Sequence, residues 1–320
     1  MKTDLMQPLT LSLLAGALVL PAAACDMCSV YSTPEGGSPG GPGFFGGVAE
    51  QFTHFGTLQD NGQRIDNAPY RQRIDSSVAQ FFAGYHLSDR ATVQLNIPWV
   101  YRSYSRPQGT YMQSGTEQGL GDISLSGTYA LLRETSGEFT YTWSLMGGLK
   151  LPTGNADRLG DPDIDGVAPI PDSGIGGHDL AVGSGSVDGL IGSSLLLRWH
   201  DWMATGMLQY GIRSTGSFGH RYANDLVWSA GPGRLFKLGS DRSLSLQLLG
   251  SGESKGKDTF YGVSDDDSAE TVVYVGPQLT VNWGPRLTGQ LGGDIPVRIA
   301  NSGLQLVPDY RVRAVLNLRF

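Results

Sequence analysis

The sequence predicts an all-β chain, a transmembrane antiparallel up-and-down β-barrel of about twelve strands with a polar lumen and long outer loops. Three observations predict it. Strand-length segments alternate apolar and polar residues, the connections between them alternate short and long, and the last segment closes on an aromatic, Phe320. In that segment Tyr310, Val312, Ala314, Leu316, Leu318 and Phe320 share one face. Arg311, Arg313, Asn317 and Arg319 share the other, and only Val315 is off the pattern. A strand with one face in lipid, one in a wet lumen and a terminal aromatic at the periplasmic interface fits this pattern. The competing reading is an edge strand of a soluble sheet.

Taken from the start, residues 1–24 read as a secretory signal peptide. Lys2 supplies the charged end, Leu9 to Leu20 the apolar core, and Ala22-Ala23-Ala24 the small-residue cleavage site. Cleavage there leaves Cys25 first, and lipidation of Cys25 is the alternative outcome. Residues 25–43 then form a Cys-x-x-Cys tip and a Gly/Pro-rich periplasmic linker, with Pro34 to Gly43 as its flexible part. Cys25 and Cys28 are the only cysteines. Haem attachment requires His at position 29, which is Ser29. One pair is too few for a closed zinc site. A local disulfide or mobile thiol pair and a redox centre are the readings left.

Residues 44–320 are the barrel. The chain has 46 Gly, 40% hydrophobic residues and a net charge of -7. Beyond the N-terminus no apolar run approaches the ~18 residues a membrane helix needs, which does not exclude strands that hide their apolar residues at alternate positions. The mild acidity and the lack of basic, aromatic-interleaved stretches argue against a nucleic-acid partner. From Ala91 to Tyr101, Ala91, Val93, Leu95, Ile97, Trp99 and Tyr101 oppose Thr92, Gln94, Asn96 and Pro98. Phe139 to Leu151, Val273 to Trp283 and Leu287 to Val297 repeat the pattern. Strand starts are expected near 44, 73, 91, 120, 139, 186, 202, 224, 242, 271, 286 and 308. Tight periplasmic turns are expected near Ser88-Asp89, Thr135-Ser136, His200-Asp201, Gly239-Ser240 and Gly284-Pro285. Long outer loops are expected near 59–70, 103–118, 153–184, 214–222, 253–269 and 299–307. Aromatics gather near strand ends, as interfacial girdles do.

Three stretches carry a resemblance. They are Gly119-Leu120-Gly121-Asp122, Gly148-Leu149-Lys150-Leu151-Pro152-Thr153-Gly154, and Gly183-Ser184-Gly185-Ser186-Val187-Asp188. In these the chain resembles the outer-membrane transporter family associated with the meta-pathway of phenol degradation. The likeness spans roughly residues 44–320, and its motifs mark strand starts and turns rather than chemistry. It implies a barrel channel passing small, including aromatic, molecules. The cysteine tip falls outside that family's pattern.

Two groups of residues could carry chemistry. The barrel phase turns Asp122, Asp188, Asp225 and Asp294 inward, with Lys150, Arg213, Arg286, Arg298, Arg311, Arg313 and Arg319. They read either as a selectivity ladder or as salt bridges that plug a narrow lumen. In the loop 153–184, Asp161, Asp163, Asp165 and Asp172 match the one, three, five and twelve spacing of a calcium loop, with Gly166 at six. Pro162, Pro169 and Pro171, an Asp in place of the bidentate Glu and the absence of flanking helices favour a solvated acidic loop. No other cofactor is expected. Ser38 and Ser254 each sit in a Gly-x-Ser-x-Gly match, but in Gly-rich linker or loop rather than a strand-to-helix elbow.

The expected function is passive passage of small solutes across a bacterial outer membrane. The expected partners are membrane lipid, the solutes, and the barrel-assembly machinery through Phe320. A non-conducting barrel whose cysteine tip engages a periplasmic partner is the alternative. A hydrolase is the third reading, and the chain is otherwise read as not an enzyme.

Overall fold

The computed structural model describes residues 41–68, 70–161, 166–168 and 170–320. Twelve long strands among them form the wall. They are β1 (Gly43–Asp60), β2 (Arg73–His86), β3 (Ala91–Gln108), β4 (Ser124–Ser136), β5 (Phe139–Lys150) and β6 (Asp188–Trp199). The other half comprises β7 (Trp202–Ile212), β8 (Asp225–Lys237), β9 (Arg242–Lys255), β10 (Glu270–Trp283), β11 (Leu287–Asn301) and β12 (Leu304–Arg319). Each pairs antiparallel with the next, and β12 closes the ring on β1 from Phe45↔Arg319 to Asp60↔Leu304. Closure leaves no wall edge unpaired, which an open sheet in lipid cannot achieve.

The sequence pattern locates these strands well, with the largest departures at Ser124 for 120 and Leu304 for 308. Two expected loops are corrected. The region 299–307 is a two-residue turn, Ser302-Gly303, because β11 and β12 run on past it and Gly303 supplies a φ of 59°. The region 103–118 is also β: β3 continues to Gln108, and Tyr111–Leu120 folds back along it. The turn expected at Thr135-Ser136 lies two residues on, at Gly137-Glu138, where Gly137 has φ 58°.

Alternation sets the two faces. On β3 the outward Val93, Leu95, Trp99 and Tyr101 are exposed, while Asn96, Pro98, Val100 and Arg102 are buried inside. Leu145, Leu149, Ile191, Leu195, Leu248, Leu291 and Leu316 continue the apolar exterior around the barrel. Such a belt is unstable in water and stable in lipid. Glu50 interrupts it, and Ser77 donates a hydrogen bond to its carboxylate at 2.5 Å. Val315 proves informative: it points inward and packs in an apolar cluster inside the lumen.

Candidate functional site: a lumen filled by one loop

The loop between β5 and β6 folds into the barrel. Its two arms cross where a Cβ on Gly183 would overlap the Gly154 backbone, so close approach requires glycine there. Asp122 clamps this neck. Its carboxylate accepts from Gly154 N at 3.0 Å, Ser184 N at 2.9 Å, Ser184 Oγ at 2.6 Å and Lys150 Nζ at 3.0 Å.

Beyond the neck, toward the loop ends of the strands, the loop sits on an apolar seat. Ile175 and Leu180 lie among Phe55, Leu58, Ile74, Tyr104 and Leu306 of the wall. Val182 lies among Ala49, Val78 and Val100, with Phe82 and Val315 packed against them. Polar straps fix the register. Arg102 Nη1 donates to Ala181 O at 2.5 Å, and Arg106 Nη1 to Ile175 O at 3.3 Å. Gln72 binds the loop twice, donating to Asp172 O and accepting from Gly174 N, each at 2.9 Å. Leu306 N donates to Gly174 O at 2.8 Å. Arg158 of the loop bonds Glu117 and Asp161, and donates to Tyr104 Oη at 3.2 Å.

Four of the cations expected in the lumen meet carboxylates. Lys150 is 3.0 Å from Asp122 and 2.8 Å from Asp188. Arg213 is 3.2 Å from Asp188 and 2.5 Å from Asp225. Arg311 joins Glu253 at 2.5 Å and Asp294 at 3.0 Å, with its guanidinium 4.1 Å from the Tyr274 ring centre. Arg313 is 2.9 Å from Asp294. Charges held this way inside a wall mainly cancel one another's desolvation.

Two expected lumen residues are not in the lumen. Arg298 stands opposite Val273 while Pro296 stands opposite Tyr274, so one extra residue in β11 flips the phase and turns Arg298 outward. Arg286 lies exposed in the turn between β10 and β11, below the wall. Arg319 keeps the inward phase of Arg311 and Arg313 at the end of β12, where it donates to Gly41 O at 2.6 Å.

At the loop end, the plug meets two further connections. The His178 and His220 rings stack at 6.2 Å, and Tyr222 Oη donates to His178 O at 3.0 Å. Asp258 is fully buried, 2.8 Å from Lys255 and 3.5 Å from His220. Burial opposes its charge, but Lys255, His220 and His178 together hold its carboxyl below the usual carboxylate range. Between plug and wall there remains a cavity of about 40 Å³, lined among others by His178, Asp179, Glu253, Glu270 and Arg311. That is room for a few water molecules.

Of the calcium-spaced carboxylates, Asp161 is engaged by Arg158 at 2.5 Å and lies 3.9 Å from Arg106. Asp172 is exposed, and Asp163 and Asp165 lie outside the described residues. No cluster of three or more metal-ligating side chains occurs among the described residues. Cys25, Cys28 and Ser38 lie outside them too, and Ser254 Oγ is 3.1 Å from Thr271 Oγ1. Sequence reasoning missed Arg102, Arg106 and Gln72. The signal was present for the arginines, because the β3 alternation continues inward through Val100, Arg102, Tyr104 and Arg106.

A closed, apolar-belted barrel of twelve antiparallel strands is the fold of bacterial outer-membrane proteins. Structural comparison agrees: an outer membrane channel from Pseudomonas putida F1 superimposes with a TM-score of 0.64 at 17% identity, over 91% of this chain and 100% of that one. The β domain of the Bordetella autotransporter BrkA gives a TM-score of 0.41 at 13% identity, over 88% and 100%. The translocator domain of NalP from Neisseria meningitidis gives 0.40 at 13%, over 87% and 88%. At 17% identity the likeness to the Pseudomonas putida channel is one of fold. No family model matches the chain, and no curated protein matches it in sequence. The phenol-pathway resemblance therefore rests on its three motifs alone.

Proposed function

We propose that this protein is an outer-membrane channel for small solutes whose closed state is the loop-filled barrel. The observation that carries the reading is the seating of the connecting loop through Ile175, Leu180 and Val182. A barrel meant only to be solid could fill its lumen with wall side chains, as small barrels do. Here one connecting loop fills it, held by an apolar seat and by hydrogen bonds that water could replace. The fold likeness to an outer membrane channel supports the same reading at the level of architecture. The permeant class carried by the phenol-pathway resemblance, small and including aromatic molecules, belongs to this proposal.

Planar-bilayer recordings of the full-length protein and of a variant lacking residues 156–181 test it. The intact protein should be mostly closed, and the shortened one should conduct steadily. A folded, shortened barrel that never conducts would leave the second reading, a non-conducting scaffold, which the filled lumen also suits. Under that reading the Cys25–Cys28 tip engages a periplasmic partner, and cross-links lost in Cys25→Ser and Cys28→Ser variants would reveal it.

A further inference from the structure

The cavity between plug and wall, about 40 Å³, has an uneven lining. Its carboxylates come from the adjacent strands β9 and β10, as Glu253 and Glu270, and from the plug, as Asp179. Further round the ring, Ile74 and Val78 of β2 and Leu306 of β12 supply apolar surface, and Gln51 of β1 stands between those two strands.

Two oxygens of this lining have no partner. Gln51 Oε1 and Glu270 Oε1 are closed off from solvent, and neither accepts a hydrogen bond among the described residues. Gln51 as a whole is only 5% exposed. A buried acceptor left unmade is a costly defect in a folded interior, and more so when it carries charge. The nearby cations are already committed. Arg311 is shared between Glu253 at 2.5 Å and Asp294 at 3.0 Å, and Lys255 is 2.8 Å from Asp258. Asp179 accepts from Gly176 N at 2.9 Å and lies 3.3 Å from His178 Nε2. Both unmet groups are therefore acceptors, in a lining where Asp179, Glu253 and Glu270 face the single guanidinium of Arg311.

We propose that this cavity binds a small ammonium cation, either ammonium itself or a short primary alkylammonium, whose N–H groups serve Gln51 Oε1 and Glu270 Oε1. Water could donate to either oxygen, but it would leave the charge of Glu270 unbalanced. A hard metal ion takes six or more oxygen ligands, several of them carboxylates, and no cluster of three metal-ligating side chains occurs among the described residues. The space admits about three non-hydrogen atoms, and Ile74, Val78 and Leu306 suit a methyl group. Because the lining joins plug to wall, the bound cation holds the loop in its seat, whether or not the barrel conducts.

Hydrogen exchange of residues 174–181 in the detergent-solubilised full-length protein at fixed pH tests this. The probes are ammonium and methylammonium chloride. The comparators, at equal ionic strength, are sodium chloride and tetramethylammonium chloride, whose cations have no N–H to donate. At about ten times its dissociation constant, an ammonium probe should slow exchange of these amides about tenfold. Glu270→Gln keeps the shape and removes the charge, and Gln51→Leu removes the other acceptor. Each should cut the response to under about twofold, with heat-modifiable migration verifying the barrel. Failure of both probes to protect the native protein, equal protection by either comparator, or a native response in either folded variant would overturn the proposal.

Discussion

Val182→Asp should separate plug from wall. Val182 is buried among Ala49, Val78 and Val100, with Phe82 and Val315 around them. Losing the valine forfeits about 1.5–3 kcal/mol of apolar burial, and an unpaired carboxylate in its place adds a further ~2–3 kcal/mol. Relaxation recovers part of this, so the seated state should weaken by about 3–5 kcal/mol, or two to three and a half decades in the closed-to-open ratio. The wall should survive, because its strand ladders do not pass through Val182. Single-channel recording would read the ratio, and heat-modifiable migration on a gel would verify the barrel. Val182→Ile, which keeps an apolar side chain there, should stay mostly closed. A folded Val182→Asp protein with native closed-state occupancy would refute the idea that this seat holds the plug.

Three other outcomes follow from the same contacts. Asp122→Ala strands Gly154 N, the Ser184 amide and hydroxyl, and Lys150, and should loosen the neck by about 2–4 kcal/mol; limited proteolysis should then cut the 151–187 loop faster, and unchanged cleavage would count against the clamp. Arg311→Leu leaves Glu253 and Asp294 facing each other across a lost cation, and should lower stability by about 3–5 kcal/mol, read as a lower temperature of heat modification. The third concerns pH. Since the Asp258 carboxyl is held below its ordinary value of 3.8, its contribution is full above that pH and fades as pH falls further. Hydrogen-exchange protection factors in residues 256–269, with the intrinsic pH dependence divided out, should therefore stay high from neutral pH to about 4 and fall below it, while Asp258→Asn should lower them throughout; protection unchanged below pH 4 would count against this role of Asp258.

The sequence made the wall legible because lipid leaves little choice: every strand must turn apolar residues outward at period two, and a slip of one residue reverses both faces. That rule failed where backbone geometry broke the count. One extra residue in β11 sends Arg298 outward, and no residue type announces it. The plug was hidden for a different reason. Ile175, Leu180 and Val182 are scattered in a Gly- and Pro-rich loop with no period to read, and their contacts lie far away in the chain. The wall did carry a trace of the seat. Val78, Val100 and Val315, like Phe55, Ile74 and Tyr104, are apolar residues at inward positions where a wet lumen would call for polar ones, and Val315 was already the odd residue in the last strand.

The two kinds of contact holding the plug are not equivalent. When the loop leaves, water can take the place of Ala181, Ile175 and Asp172 carbonyls at Arg102, Arg106 and Gln72, so each strap costs little net energy to break. The apolar seat has no such substitute: vacating it wets both Ile175, Leu180 and Val182 and the wall residues beneath them. The seat therefore sets how strongly the loop is held, and the straps set where it is held. A loop held chiefly by apolar contact can also be released by an apolar or amphipathic solute that occupies the same seat. Under the channel reading, opening would then be coupled to the chemistry of what is carried, with no separate effector required.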